Sequence, residues 1–106
     1  MKKLVLIGLT VLMVGCSSYA QRGAVQLAYS NFNDQDYEDT LTYISQAEHA
    51  RQMSPELKAE LIYLKAQTYE KMGEYTKAKS LYLYLSNEHK LSQYGYLASE
   101  RLKQIL

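Results

Sequence analysis

The chain has 106 residues, a formal net charge of +1 and 47% hydrophobic residues. That length has room for one domain, and the near-balanced charge gives no reason to expect a polyanionic partner such as nucleic acid. One Pro and five Gly argue for helices over a turn-rich β fold. Eleven Tyr stand against one Phe and no Trp. They read either as aromatic filling between helices with the hydroxyls reaching solvent, or as an aromatic recognition face.

Lys2 and Lys3, followed by the apolar run Leu4–Val14, make a charged start and a hydrophobic stretch of eleven residues. A stretch that short does not span a bilayer as a permanent helix and reads as a cleaved export signal. Met13-Val14-Gly15-Cys16-Ser17-Ser18 follows and resembles the lipobox of bacterial lipoproteins, with Met13 where Leu is usual. The resemblance implies acylation of Cys16, cleavage before it, and a mature chain that begins there. Residues 1–15 are then signal peptide. Cys16 is the only Cys in the sequence, so it has no intramolecular disulfide partner, and its other reading is an unmodified thiol. Three acyl chains, which the resemblance implies, would anchor far more firmly than a single chain. Ser17 does not match the Asp that favours inner-membrane retention in enterobacteria-like systems, so the outer membrane, facing the periplasm, is the expected address. Without Lys2 and Lys3 the balance is 10 basic against 11 acidic residues.

Cys16–Gly23 is short, polar and pattern-free, as a tether should be, and reaches about 20–25 Å when extended. The folded domain is expected over residues 24–106. Ala24, Leu27, Ala28 and Phe32 lie on one helical stripe, and Asp34–Asp39 supplies a turn and the acidic first turn of a second helix. Tyr37, Leu41, Ile44 and Ala47 continue the apolar face, with the second helix lengthened through Ala50–Gln52. Ser54-Pro55-Glu56 is a strong helix start. A third helix is expected over Pro55–Met72 with Ile62, Ala66 and Tyr69 facing its partner. A fourth is expected over Glu74–Glu88 with Tyr75, Ala78, Leu81, Tyr82 and Leu85 inward, Gly73 ending the third in a left-handed turn. Ser92 caps a last helix with Tyr94, Leu97, Ala98, Leu102 and Ile105 as its stripe.

The A-x-x-Y then G-x-Y-x-x-A-x-x-x-Y spacing of Ala66–Tyr82 resembles the facing halves of the two helices of a tetratricopeptide repeat. Setting Tyr37 over Tyr75 gives a degenerate first copy, with Ala28 over Ala66, Asn31 over Tyr69, Gln35 over Gly73, Thr40 over Ala78 and Ile44 over Tyr82. The offset is 38 residues, against about 34 in the family. SQYGYLASERLKQIL resembles the closing, solvating helix of envelope repeat proteins. The expected fold is all-α: about five antiparallel helices, two TPR-like hairpins plus a C-terminal capping helix.

In this family the first helix of each hairpin lines a concave groove for a peptide or partner helix. Carried over, the partner-binding positions are Glu60, Tyr63, Gln67, Glu70 and Lys71 in the second copy, and Arg22, Val25, Tyr29, Phe32 and Asn33 in the first. The spacing of Glu60, Tyr63, Gln67 and Glu70 puts them on one helix face, expected to be open, with Tyr63 as an aromatic anchor. A solvated helix face is the alternative. Two repeats are fewer than the three or so that bury a continuous core, so either a partner completes the stack or the chain self-associates.

No catalytic set emerges. His49 and His89 each come late in a helix and lack a second His or Cys at metal-ligand spacing. Asp34-x-Asp36-x-Glu38 resembles the opening of a calcium loop but lacks its turn Gly and closing Glu, and reads as a helix N-terminus. No phosphate loop or nucleophile motif is present. The expected protein is therefore not an enzyme and carries no cofactor or metal beyond the covalent lipid on Cys16. It is expected to be an outer-membrane-anchored adaptor that binds one or more cell-envelope proteins in a secretion, pilus, polysaccharide-export or cell-wall complex. The alternatives are a structural accessory subunit with no groove role and, third, a small-ligand binder or enzyme.

Overall fold

The computed structural model describes residues 20–50 and 52–105. The described residues form five helices and no strand: α1 over residues 20–33, α2 Tyr37–Glu48, α3 Pro55–Lys71, α4 Tyr75–Glu88 and α5 Gln93–Ile105. None of these is long and apolar enough to cross a membrane. The expected signal peptide, the lipobox-like run with Cys16, and residues 16–19 of the expected tether lie outside the described residues. Residues 20–23, also assigned to the tether from sequence, are helical and open α1. Gln21 ties that first turn down by donating from Nε2 to the Gln52 carbonyl at 2.9 Å.

Local chemistry accounts for the helix ends. Ser54 is extended and its Oγ accepts the Leu57 N–H at 3.1 Å, with Pro55 at the first helical position of α3. Ser92 Oγ accepts the Tyr94 N–H at 3.1 Å and starts α5. Asp36 makes no side-chain cap, and α2 relies on Glu38 and Asp39 in its first turn, next to the positive end of the helix dipole. α2 stops at Glu48 rather than running through Ala50–Gln52. Ala50 and Gln52 therefore lie outside the helix, not in a lengthened α2.

The two hairpin turns match bond for bond. After α3, Glu74 N–H donates to Tyr69 O at 2.8 Å and Gly73 N–H to Glu70 O at 3.1 Å. After α1, Asp36 N–H donates to Asn31 O at 2.8 Å and Gln35 N–H to Phe32 O at 3.0 Å. Both pairs are the crossed bonds of a Schellman ending. Three of the pairs set over each other by the 38-residue offset are also buried alike, Ala28 and Ala66 at 0%, Thr40 and Ala78 at 0%, Ile44 and Tyr82 at 1% and 0%, whereas Tyr37 is half-buried and Tyr75 exposed.

α3 is the centre because it is buried on two sides. Leu61 and Leu64 join Ala24 and Ala28 of α1 and Ile44 and Ala47 of α2 in one core. Ala59 and Ala66 join Ala78, Tyr82 and Leu85 of α4 and Ala98 and Leu102 of α5 in the other. Each fully buried Leu of α3 contributes roughly 1.5–3 kcal/mol. Small residues at the crossings (Ala59, Ala66, Ala78, Ala98) let the backbones come close. Gly95 takes this furthest: a Cβ there would lie 2.0 Å from the His89 carbonyl oxygen, so α5 seats directly on the end of α4.

Leu27, Tyr75 and Leu97 depart from the expected stripes, Leu27 of α1 being 46% exposed. Tyr75, expected inward, is 57% exposed; it occupies the first turn of α4, ahead of the crossing at Ala78. Leu97 of the expected α5 stripe is also exposed, because α5 settles through Gly95, Ala98 and Leu102 instead. Tyr82 is wholly buried, and its hydroxyl meets Glu70 rather than solvent.

Candidate functional site: the α1, α3 and α5 face

Glu60, Tyr63, Gln67 and Glu70 all lie along one side of α3, and both α1 and α5 reach that row. Tyr29 of α1 donates its hydroxyl to Glu60 Oε1 at 2.8 Å. Tyr94 of α5 packs on Tyr63 with ring centroids 5.7 Å apart. Arg101 of α5 grips Glu70, its Nε 2.9 Å from Oε1 and its NH2 on Oε2. The row is thus flanked on both sides and joined to each neighbour by polar or aromatic contacts.

This changes what the expected residues can offer. Tyr63 does not stand on an open face: it is half-buried, with Tyr82 at 5.8 Å and Tyr94 at 5.7 Å. Its phenol is raised above the ordinary range, first by burial. Glu70 is held by the Arg101 guanidinium and also accepts from Tyr82 at 3.0 Å. The Arg101 hydrogen bond draws its carboxyl below the usual range against an opposing effect of burial. Tyr29 and Tyr82 are both pushed far up, chiefly by burial and then by the carboxylates their hydroxyls face. These groups stay protonated and act as donors throughout the neutral range.

What remains open for a partner is Gln67, half-exposed, and Lys71, exposed at the end of α3. On α1, Arg22 and Asn33 are exposed, while Val25 and Phe32 are half-buried. Phe32 packs edge-on against Tyr37 at 5.7 Å and so helps brace the first turn. Sequence reasoning did not find Tyr94 or Arg101 as members of this face. Their signal was present in the three- and four-residue steps of α5, but pairing them with Glu70 requires knowing how α5 docks.

Among the described residues, every buried side-chain nitrogen and oxygen has a hydrogen-bond partner, and no group of three or more His, Cys, Asp or Glu could hold a metal. His49 sits exposed at the end of α2 with Nδ1 2.6 Å from Ser45 O, and His89 packs on Tyr84 at 5.6 Å. Asp34 and Asp36 belong to the first turn, their N–H groups bonded to α1 carbonyls. The face offers fixed donors, aromatic rings and a few free polar ends. No family model matches the chain, and neither a curated protein nor a solved structure matches it.

Proposed function

We infer that the protein is a lipid-anchored, TPR-like adaptor at the periplasmic face of the outer membrane, holding a protein partner in an envelope assembly. Two things support this. The lipobox-like run ending at Cys16 supplies a membrane anchor, and two helical hairpins with the same turn chemistry place a row of α3 between α1 and α5. The second is the observation that carries the reading, because a row flanked by alternate helices is the surface on which this architecture receives peptides. The machine served is a secretion, pilus, polysaccharide-export or cell-wall complex.

The anchor and the adaptor role are tested together. Labelled palmitate enters the wild-type chain, and Cys16→Ser accumulates as an unlabelled, uncleaved precursor. Affinity purification from detergent-solubilised membranes then recovers an envelope protein with the wild type but not with Gln67→Arg/Lys71→Glu. Label persisting in Cys16→Ser rejects the anchor. Equal recovery by the double variant rejects the face.

A further inference from the structure

α3 carries a second row that the adaptor reading does not use. At about 100° per residue, Lys58, Ile62, Lys65 and Tyr69 centre about 150° around the helix from the Glu60–Glu70 row. α4 lays a matching row beside them: Lys77, Leu81 and Tyr84. Two hollows open between the rows. One, of about 410 Å³, is lined by Met53, Lys58, Ile62, Leu81 and Tyr84 together with Glu48. The other, of about 320 Å³, runs from Lys65 and Tyr69 to Lys77 and again reaches Leu81. Sharing Leu81, they form one trough.

Its chemistry is specific. The floor is apolar, with Ile62 and Leu81 half-buried. The rims are basic: Lys58 and Lys65 on the α3 side and Lys77 on the α4 side, where the Lys77 ammonium stands over the Tyr69 ring at 5.3 Å. The ion pairs among the described residues are Arg101–Glu70 and Lys103–Glu100, so none of these three lysines is neutralised by one. The one carboxylate in the lining is Glu48, at the Lys58 end.

We propose that the trough between α3 and α4 docks an acidic peptide segment of a protein partner, one with aliphatic or aromatic anchors between its carboxylates and no acid at the end beside Glu48. An apolar floor between unpaired cations rewards carboxylates and greasy side chains on the same chain, and penalises cations. From Lys58 to Tyr69 the trough spans about 16 Å, the length of about eleven helical residues. A phospholipid surface suits it less well. Ile62 and Leu81 are recessed between the rows, where a flat surface touches the lysines but misses the floor. This site lies on the opposite side of α3 from the α1, α3 and α5 face and stands independently of it.

The test is fluorescence anisotropy with the full chain in non-ionic detergent. The probe is a labelled peptide of about eleven residues in which Glu and Asp alternate with Leu and Ile, and the comparison peptide has Lys at every acidic position. The acidic peptide binds saturably and more weakly as salt rises, and the basic one does not bind. Lys65→Glu/Lys77→Glu weakens binding by about tenfold or more with an unchanged melting curve, while Gln67→Arg/Lys71→Glu leaves it intact. Should the charge-reversed chain fail to fold, Lys65→Gln/Lys77→Gln carries the comparison. Equal binding by the lysine variants, equal binding of both peptides, or no peptide binding overturns the proposal. So does capture of the chain through the same lysines by phosphatidylglycerol vesicles without peptide binding.

Discussion

Gln35 and Gly73 hold the same place in two successive turns, both in the left-handed region, with φ of 66° and 81°. Gly73 suits that conformation, whereas Gln35 adopts it at a steric cost, because its own hairpin must close as the second one does. The two turns share a geometry that their residues at this position do not.

Gln35→Gly should therefore stabilise the chain by about 0.5–1 kcal/mol, the relief of strain exceeding the extra freedom of the unfolded backbone. Gly73→Gln should cost about 1 kcal/mol or more, although a Cβ at Gly73 meets no heavy atom within 4 Å. Urea midpoints moving in opposite directions are the expected outcome. Equal shifts would mean the two turns are not equivalent.

Gly95→Ala should destabilise by about 1–3 kcal/mol, since the new methyl meets the His89 carbonyl and backbone must move. Gly23→Ala is the internal comparison. It sits in α1 with nothing within 4 Å of the added Cβ, so it should gain up to about 1 kcal/mol from helix propensity. Thermal melts of both variants check the pair, and a neutral Gly95→Ala would mean α5 does not seat on α4 as described.

Glu70 makes stability depend on acid. Its carboxyl is lowered in the folded state, so its contribution is complete above the ordinary carboxylate range and is lost as pH falls through the lower folded value. Arg101 keeps 37% side-chain exposure, so solvent screening holds the effect to about 1 kcal/mol. Tyr29 and Tyr82 act at the other limb: both are raised, so their contribution is full below about pH 10 and fades as pH climbs toward their folded values. Glu70→Gln should flatten the acid limb of a stability–pH curve and also soften the alkaline limb, because it removes the carboxylate that helps to raise Tyr82. An unaltered acid limb would contradict the assignment.

Tyr63→Ala should lower stability by about 2 kcal/mol, roughly half the cost of truncating a fully buried aromatic, because the ring is half-buried between Tyr82 and Tyr94. Tyr75→Ala, at 57% exposure, should stay within about 0.5 kcal/mol of wild type. Circular dichroism melting separates them, and a Tyr63→Ala chain as stable as Tyr75→Ala would restore Tyr63 to an open face.

The sequence announced the parts of this fold that depend on near neighbours. Ser54-Pro55, Gly73, and the Ala66–Ala78 crossing are set by local backbone chemistry and close helix approach, and each stands where spacing put it. Leu61 and Leu64 fall off the expected stripe because α3 is buried on two sides, so its apolar residues do not resolve into one face. Tyr75 and Tyr82 look alike in sequence, yet only the second lies past the crossing, where α3 and α5 cover it. Tyr63 looked open because its α3 neighbours are polar; the side chains that cover it, Tyr82 and Tyr94, come from elsewhere in the chain. Gly95 left no signal beyond being a glycine inside a helix, because its reason is a carbonyl on the preceding element.

The central functional claim is that the α1, α3 and α5 face receives an envelope protein while Cys16 holds the chain at the membrane. Its most direct measurement is site-specific photocrosslinking in living cells, with a photoreactive side chain at position 67 in the full chain, read by the mass of the adduct. One discrete protein adduct is expected from position 67, lost when Cys16→Ser is added. No adduct from position 67, or one that forms equally with Cys16→Ser, would contradict it.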